Sequence, residues 1–419
     1  MRVLMFGWEF PPHISGGLGT ACYGMVRGLA NNDVDVLFVM PSASGDEDAS
    51  VAHIINASDV EATDIKCSPM DFLERINILR IGSNLVPYVD PRDFTEMLEE
   101  DRHNQAREFK INFKQKYKFS GKYGTNLMEE VARYALVGGT IALQNDFDVI
   151  HAHDWLTYAA GVAAKRLTGK PLVVHVHATE FDRTGENVNT QVYALEKMGM
   201  EAADKVITVS NLTRNIVINR YGISPDKVVT VHNAVDFSGR SDIEVKRGVP
   251  EKVVTFLGRI TFQKGPEYFI EAANKVLKYY KNVRFVMAGS GDLLNRSIRR
   301  VAKLGISDKF HFTGFLRGAD VQKMFAVSDV YVMPSVSEPF GISPLEAMRT
   351  GVPTIISKQS GVAEVLKHSI KVDFWDIDAM ADAIYGLLKY PALGDMASRC
   401  GLDEVNTLKW NNAAQKIKQ

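Results

Sequence analysis

Residues 329–350, "DVYVMPSVSEPFGISPLEAMRT", contain one complete strand–loop–helix unit. The apolar run "VYVM" is short and rich in valine, which is typical of a buried strand. The segment "VSEPFG" carries the turn formers proline and glycine, and "ISPLEAMRT" is predicted as a helix that ends before Gly351 and Pro353. Repetition of such a unit predicts a parallel sheet with crossover helices.

The same alternation recurs along most of the chain. In the first half we predict strands in "VLMFGW", "VDVLFVM", "INILRI", "DVIHAH", "PLVVHVH", "KVITVS" and "KVVTVH". In the second half we predict strands in "KVVTFLG", "VRFVMAG", "KFHFTGF", "VYVMPS", "VPTIIS" and "IKVDF". The predicted fold class is therefore α/β, with two Rossmann-like doubly wound domains that face a central cleft.

The domain boundary is predicted in residues 238–250, "SGRSDIEVKRGVP", because this stretch is polar and contains glycine and proline. The first domain then covers residues 1–240, with an insertion at about 45–125 where long polar stretches interrupt the strand pattern. The second covers 241–400, and 401–419 is expected to end in a helix.

Composition narrows the function classes. Lys and Arg number 49 against 50 Asp and Glu, which argues against a nucleic-acid surface and requires any anion site to be local. Three cysteines without a CxxC pair predict neither a disulfide framework nor a zinc site, and favour a reducing, cytoplasmic location. The sequence contains no run of about 18 apolar residues, so no membrane span is predicted. The basic run at 108–124 is interpreted as a solvated face, with a membrane surface or an anionic acceptor as the alternative contact.

One candidate site in the second domain is the loop of "FLGRITFQKGPEYF", residues 256–269. Arg259 and Lys264 lie in this loop, and Pro266 is predicted at the first position of the next helix. Two cations beside free helix N–H groups suit a pyrophosphate better than a single carboxylate. A solvated loop is the alternative.

The strand–loop–helix unit of residues 329–350 contains two glutamates, Glu338 and Glu346. Ser343 and Glu346 have the spacing of a capping box, so helix capping alone would explain Glu346. Glu338 lies at the carboxyl end of a strand, near Gly341, which lets backbone N–H groups approach a ligand. A carboxylate in that position can accept hydrogen bonds from sugar hydroxyls.

In the first domain, "GWEFPPHISGGLGT" follows the first strand and opens a helix. Gly16, Gly17 and Gly19 are predicted to form a flexible loop that cradles phosphate. The spacing is not GxGxxG, and no acidic residue ends the second strand, so a dehydrogenase is disfavoured.

Five polar residues end two further strands of this domain: His151, His153, Asp154, His175 and His177. We expect the alternation along each strand to let only one histidine of each pair face the cleft. Core or hydrogen-bonded roles are therefore favoured over a metal cluster, and no metal ligand is predicted.

Together these motifs resemble the retaining GT-B glycosyltransferases, specifically glycosyltransferase family four and the bacterial glycogen and starch synthases. The resemblance covers almost the whole chain through "GGLG", "HAHDW", "VSNLT", "GRITFQKG" and "EPFGISPLE". It implies retaining, metal-independent transfer of a hexosyl unit from ADP-glucose or UDP-glucose to a glycan, with an α-glucan as the favoured acceptor. It implies no cofactor, no nucleic-acid partner and a final helix that crosses back to the first domain.

The resemblance also implies roles for single residues. Arg259 and Lys264 would hold the donor diphosphate and stabilise the leaving group. Glu338 would bind the donor sugar, Glu346 would reach the ribose, and His177 would lie near the reaction centre. The remaining implied contacts are Gly16, Gly17, Gly19, Phe340, Gly341 and Ile342 on the donor side, and Glu9 and Asp154 on the acceptor side.

Substrate identity stays open at this point. The Lys-x-Gly-Gly motif of the other glycogen synthase family is absent, since Ile14 and Ser15 precede Gly16. Lipid, capsular or sucrose-type small-molecule acceptors remain alternatives to glucan. A nucleotide-sugar 2-epimerase and a non-catalytic nucleotide-sugar binding protein are the competing function classes.

Overall fold

A computed structural model describes residues 1–13, 17–62, 116–121, 126–235, 245 and 247–419. The chain divides into two compact units. The first comprises Met1–Ala234 together with Trp410–Gln419, and the second comprises Val235–Lys409. Each unit is built around one parallel sheet, so the predicted pair of Rossmann-like doubly wound domains is confirmed.

The first unit has a seven-stranded parallel sheet in the order β3-β2-β1-β4-β5-β6-β7. Its strands are β1 (Arg2–Phe6), β2 (Asp35–Met40), β3 (His53–Asn56), β4 (Val149–His153), β5 (Leu172–Val176), β6 (Lys205–Thr208) and β7 (Val228–Thr230). Its α-helices are Gly17–Ala30, Leu127–Gln144, Trp155–Thr168, Glu180–Thr184, Thr190–Ala202, Asn211–Tyr221 and Trp410–Lys418.

Two helices of this unit pack against each other at close range. Leu127–Gln144 and Trp155–Thr168 approach so closely that a Cβ on Gly138 would lie 3.0 Å from the Cβ of Ala160. In the first of these helices, the Tyr134 hydroxyl donates to the carbonyl of Gly7 at 3.1 Å and to that of Val39 at 2.8 Å. This buried side chain links the residue just beyond β1 to the last part of β2.

The second unit has a six-stranded parallel sheet in the order β10-β9-β8-β11-β12-β13. Its strands are β8 (Lys252–Leu257), β9 (Val283–Ala288), β10 (Phe310–Gly314), β11 (Val330–Met333), β12 (Thr354–Ser357) and β13 (Ile370–Val372). Its α-helices are Pro266–Tyr279, Leu294–Lys303, Ala319–Val327, Ser343–Arg349, Ile377–Lys389 and Pro391–Val405.

The strand predictions agree with these sheets wherever the structure describes the residues. The predicted strand "INILRI", most of the insertion at about 45–125, and residues 238–244 and 246 of the predicted linker lie outside the described residues. β3 falls inside the predicted insertion and was missed, because a four-residue strand with histidine and asparagine at its ends has little apolar pattern. Among the helices that the structure describes, none is both long and apolar enough to cross a bilayer.

The predicted terminal segment 401–419 contains two elements. The end of Pro391–Val405 belongs to the second unit, whereas Trp410–Lys418 belongs to the first unit. There it packs on Gly17–Ala30, where a Cβ on Gly24 would lie 2.1 Å from Trp410 Nε1. A glycine is therefore required for the indole to lie directly on the helix backbone.

Candidate active site

The loops that follow β8 and β11 meet at the carboxyl edge of the second sheet. These strands are neighbours, and the sheet order reverses between them, which is where ligands bind in open α/β sheets. Val336 N–H donates to the Gln263 carbonyl at 2.9 Å. Gly265 has φ +65°, and a Cβ there would lie 2.2 Å from the Pro334 carbonyl oxygen. Glycine thus allows both the turn and the contact between the loops.

Lys264 and Glu338 form an ion pair across these two loops. Lys264 ends the short 3₁₀ turn Phe262–Lys264, and its Nζ donates to Glu338 Oε2. Ser335 Oγ donates to the same oxygen at 3.1 Å. The Glu338 side chain is 9% exposed and that of Lys264 is 21% exposed, so an incoming anion can reach the cation more readily than the carboxylate.

The backbone around Glu338 is held by the segment that follows β12. Glu338 N–H donates to the Gln359 carbonyl at 3.0 Å, and Gly361 N–H donates to the Glu338 carbonyl at 2.9 Å. Phe340 carbonyl accepts from Val362 N–H at 2.7 Å. The loop is therefore a fixed part of the sheet edge, which is suitable for precise placement of a carboxylate.

Gly341 has φ +97°, and a Cβ there would lie 3.1 Å from Glu338 Cγ. The glycine is needed both for this backbone conformation and to leave room for the Glu338 side chain. Its predicted approach to a ligand stays a prediction.

Arg259 lies on the same loop as Lys264. Its Nη2 donates to Gln263 Oε1 at 3.0 Å, and Gln263 is itself buried. Pro266 begins the helix Pro266–Tyr279 after Gly265, as the strand–loop–helix reading predicted. The two cations therefore share one short loop at a helix N-terminus, an arrangement that attracts a diphosphate.

The predicted capping box at Ser343 and Glu346 is wrong. The helix Ser343–Arg349 already includes Ser343, and Ile342 occupies the N-cap position; among the described residues no side chain caps it. The Ser343 hydroxyl instead pairs with the Tyr331 hydroxyl at 2.8 Å. Glu346 is partly buried, and burial raises its pKa, with the Arg349 charge opposing this effect.

One face of the first unit's sheet carries four neighbouring histidines, His151, His153, His175 and His177. Ring centroids are 4.3 Å apart for His151 and His153, and 4.5 Å apart for His175 and His177. The prediction that the two histidines of each pair point to different faces of the sheet is wrong, because residues two apart on a strand project from the same face. Across β4 and β5, His153 Nδ1 lies 2.9 Å from His177 Nε2, and His175 Nδ1 lies 3.3 Å from His151 Nε2.

Burial keeps these imidazoles neutral. Desolvation lowers the pKa of His151 and of His177 to about 3, and lowers the pKa of His153 and His175 well below the ordinary value. Within the described part of the chain, His153 Nε2 and His175 Nε2 have no hydrogen-bond partner. The array therefore combines two ring-to-ring hydrogen bonds with two unused buried nitrogens.

Asp154 holds the backbone of His177. It has φ +57°, unusual for a residue other than glycine, and its Oδ1 accepts the His177 N–H at 2.7 Å. Desolvation raises the pKa of this buried carboxyl to about 6, although the charge of Arg183 and the backbone hydrogen bonds oppose the shift. A direct acceptor contact of Asp154 stays a prediction.

The predicted glycine loop of the first unit is corrected in part. Gly16 lies outside the described residues, but Gly17 and Gly19 belong to the first turn of Gly17–Ala30 rather than to a loop. First-turn N–H groups have no partner within the helix, so they remain suited to an anion. Glu9, placed just beyond β1, is 5% exposed.

A buried charge network beside His177 was missed in the sequence. Arg183 Nη1 contacts Glu196 Oε1 at 2.9 Å and Glu180 Oε2 at 3.3 Å, and its Nη2 donates to the Ala178 carbonyl at 3.1 Å. Burial raises the pKa of Glu196 to about 7. The signal was the run "TEFDR", whose charged residues directly follow a buried strand end.

Comparisons with known proteins agree with this geometry. The family Glycosyltransferase Family 4 matches residues 119–238, and the family Glycosyl transferases group 1 matches residues 240–401. An uncharacterized glycosyltransferase of Methanocaldococcus jannaschii is 29% identical over 88% of this chain and 84% of its own length. The glycogen synthase of Mycobacterium tuberculosis is 23% identical over 100% of this chain and 94% of its own length.

Solved structures share the fold along the whole chain. Sucrose-phosphate synthase from Thermosynechococcus elongatus has a TM-score of 0.71 at 17% identity, and covers 100% of this chain and 97% of its own. Anabaena HepE in complex with UDP and glucose has a TM-score of 0.65 at 16% identity, and covers 100% of this chain and 98% of its own. The predicted GT-B fold is thereby confirmed.

Proposed function

Because this chain is a glycosyltransferase of the group 1 and family 4 type, we propose that it transfers a glucosyl unit from ADP-glucose or UDP-glucose to an α-glucan. The transfer retains the anomeric configuration and uses no metal ion. The full-length similarity to a glycogen synthase supports glucan as the acceptor. A neighbour solved with UDP and glucose supports a nucleotide-linked glucose as the donor.

The observation that carries the proposal is the Lys264–Glu338 pair at the carboxyl edge of the second sheet. Lys264, with Arg259 on the same loop, offers positive charge where the diphosphate leaves. Glu338, aligned by Ser335, offers an acceptor for sugar hydroxyls at a fixed distance from that charge. Diphosphate and sugar are the two neighbouring parts of a nucleotide-sugar.

In the proposed step, the acceptor hydroxyl oxygen bonds to the anomeric carbon as the bond from that carbon to the diphosphate oxygen breaks. The acceptor proton passes to the departing phosphate on the same face of the sugar, which gives retention. Lys264 and Arg259 stabilise the charge that develops on the diphosphate. His177 stays neutral and serves as a hydrogen-bonding group near the sugar, because its low pKa excludes an imidazolium at neutral pH.

The test is nucleotide release from ADP-glucose, UDP-glucose and GDP-mannose, each with and without glycogen and each with and without chelator. We expect glycogen-dependent, chelator-insensitive release from one glucose donor, and an α-linked product by NMR. Release that is stimulated by a small sugar phosphate or a lipid but not by glycogen would mean that this compound, rather than a glucan, is the acceptor. Conversion of the sugar without transfer would indicate a 2-epimerase, and donor binding without turnover a non-catalytic protein.

A further inference from the structure

A cysteine from the first helix reaches the histidine array of the first unit. Cys22 Sγ and one ring nitrogen each of His153 and His177 lie within 4.8 Å of one another. Cys22 is 1% exposed and His153 is fully buried, whereas His177 is partly exposed. The group is thus nearly enclosed but has one member that solvent reaches.

The bonding capacity of this group is not fully used. His153 Nδ1 is engaged with His177 Nε2, but His153 Nε2 is buried and has no partner in the described part of the chain. Buried polar atoms of folded proteins are almost always paired, so an unused ring nitrogen points to an additional ligand. A neutral imidazole has a free lone pair, which is the form that binds metals.

The charges around Cys22 also suit a cation. The carboxyl groups of Asp154 and Glu9 lie near enough to Cys22 to act on it electrostatically. A coordinated thiol loses its proton outright, so Cys22 would bind the ion as a thiolate. The same carboxylates then compensate the positive charge of the ion.

We propose that Cys22, His153 and His177 bind one Zn²⁺ ion, with the thiol proton released to solvent as the Zn–S bond forms. Thiolate and imidazole together are a typical Zn²⁺ ligand set. Tetrahedral coordination places such ligand atoms about 3.3–3.6 Å apart. In the structure the Cys22 sulfur and one nitrogen of each histidine lie within 4.8 Å of one another, so these atoms would have to approach by no more than about 1.5 Å to reach such separations.

A second group, His151, His153 and His175, is also compact enough to be considered. Its rings are nearly parallel, with interplanar angles of 13° between His151 and His175 and 24° between His153 and His175. Lone pairs lie in the ring planes, so parallel rings do not direct them to one point. This group also lacks a thiolate to balance a dication, which leaves the Cys22 group as the better ligand set.

A Zn²⁺ ion bound at this site would inhibit the transfer reaction. Zn²⁺ on His177 removes this side chain from the donor sugar, so micromolar Zn²⁺ should slow transfer and chelator should restore it. This consequence, unlike the binding itself, rests on the proposed function. Zn²⁺ bound without loss of turnover would contradict the role of His177 and leave the metal site intact.

The test uses the full chain, stripped with chelator and then dialysed against Zn²⁺ or Co²⁺. We expect one Zn²⁺ per chain, and a Co²⁺ spectrum with a thiolate-to-metal charge-transfer band. Cys22→Ser should abolish this band and weaken Zn²⁺ binding at least tenfold. Cys400→Ser, which removes a partly exposed thiol of the second unit, should change neither.

Two further variants keep the result decisive. His151→Asn should preserve the charge-transfer band, whereas loss of binding in this variant would transfer the site to the three-histidine group. His311→Gln removes an exposed histidine and controls for surface binding. If the unmodified chain takes up no Co²⁺ with a thiolate band, the proposal is overturned, whether or not Cys22→Ser folds.

Discussion

The two units share one scaffold but have opposite chemistry at corresponding edges of their sheets. Beyond β8 and β11, the second unit has the ion pair Lys264–Glu338. In and just after β4 and β5, the first unit has four neutral imidazoles and a carboxyl, Asp154, whose pKa is raised. The difference is one of burial, because the charged pair remains partly accessible whereas most of the histidine array is enclosed.

In both units strand order determines where the site lies, whereas side-chain burial determines which chemistry the site can perform. A partly exposed cation can bind a diphosphate, and an enclosed neutral ring can only donate or accept a hydrogen bond, or bind a metal. The four predictions below test this contrast.

The largest effect is expected from Lys264→Met. On the proposed function, loss of the cation removes stabilisation of the leaving diphosphate, and it also leaves Glu338 without Lys264, so turnover should fall about 10³-fold. The rate of nucleotide release measures this turnover. Lys323→Met is the control, because Lys323 forms an exposed pair within one helix, with Asp320. If Lys264→Met turned over about as fast as Lys323→Met, the partly accessible Lys264–Glu338 pair would not contribute to catalysis.

Asp154→Asn should change the pH dependence of stability in the first unit. The folded pKa of about 6 lies above the unfolded value of about 3.9, so the carboxyl makes folding less favourable as pH rises through this window. The neutral amide removes about 2 kcal/mol of this loss between pH 4 and pH 7.

Urea unfolding at several pH values measures this effect. In a Trp375→Phe background, fluorescence reports the first unit alone, because the other tryptophans, Trp8, Trp155 and Trp410, all lie there. Asp204→Asn is the opposite control, because hydrogen bonds from Lys165 and Leu172 N–H lower the pKa of Asp204 despite partial desolvation. An unchanged pH profile in Asp154→Asn would show that this carboxyl is solvated.

Gly265→Ala should loosen the contact between the two loops of the second unit. Its Cβ would lie 2.2 Å from the Pro334 carbonyl oxygen, in addition to the strain of φ +65°. Gly305→Ala has a similar φ of +71° but open space, so it isolates the strain. We expect Gly265→Ala to lose about 2 kcal/mol more than Gly305→Ala, measured by hydrogen exchange in β8. Equal losses would mean that the loops separate freely.

The smallest effect is expected from Glu346→Gln. Because no capping box forms, this change should alter the free energy of unfolding by less than about 0.5 kcal/mol. If Glu346 binds ribose, the KM for the donor should rise while stability holds. A decrease of about 1 kcal/mol in the free energy of unfolding would instead indicate that Glu346 caps its helix.

The sequence predicted the strands well because buried parallel strands need nearly continuous apolar runs, and β8 and β11 are such runs, each with two valines. It also placed Arg259, Lys264 and Glu338 at strand ends. It could not predict the Lys264–Glu338 contact, since 74 residues separate the partners and only the pairing of β8 with β11 brings them together.

Side-chain partners were the other source of error. The capping box failed because Tyr331, which the Ser343 spacing does not include, competes for the hydroxyl. The histidine prediction failed for a reason that the sequence already held, since residues two apart share a face. Cys22 joined the array only through the packing of its helix, which no local pattern reports.

The placement of Trp410–Lys418 has a consequence for synthesis of the chain on the ribosome. Met1–Ala234 of the first unit precedes the second unit along the chain, yet the helix that covers Gly24 and Gly28 follows the second unit. This unit must therefore wait, with part of its surface uncovered, while the whole second unit is translated. A stop codon just before Trp410 would thus damage the part of the protein that was made first.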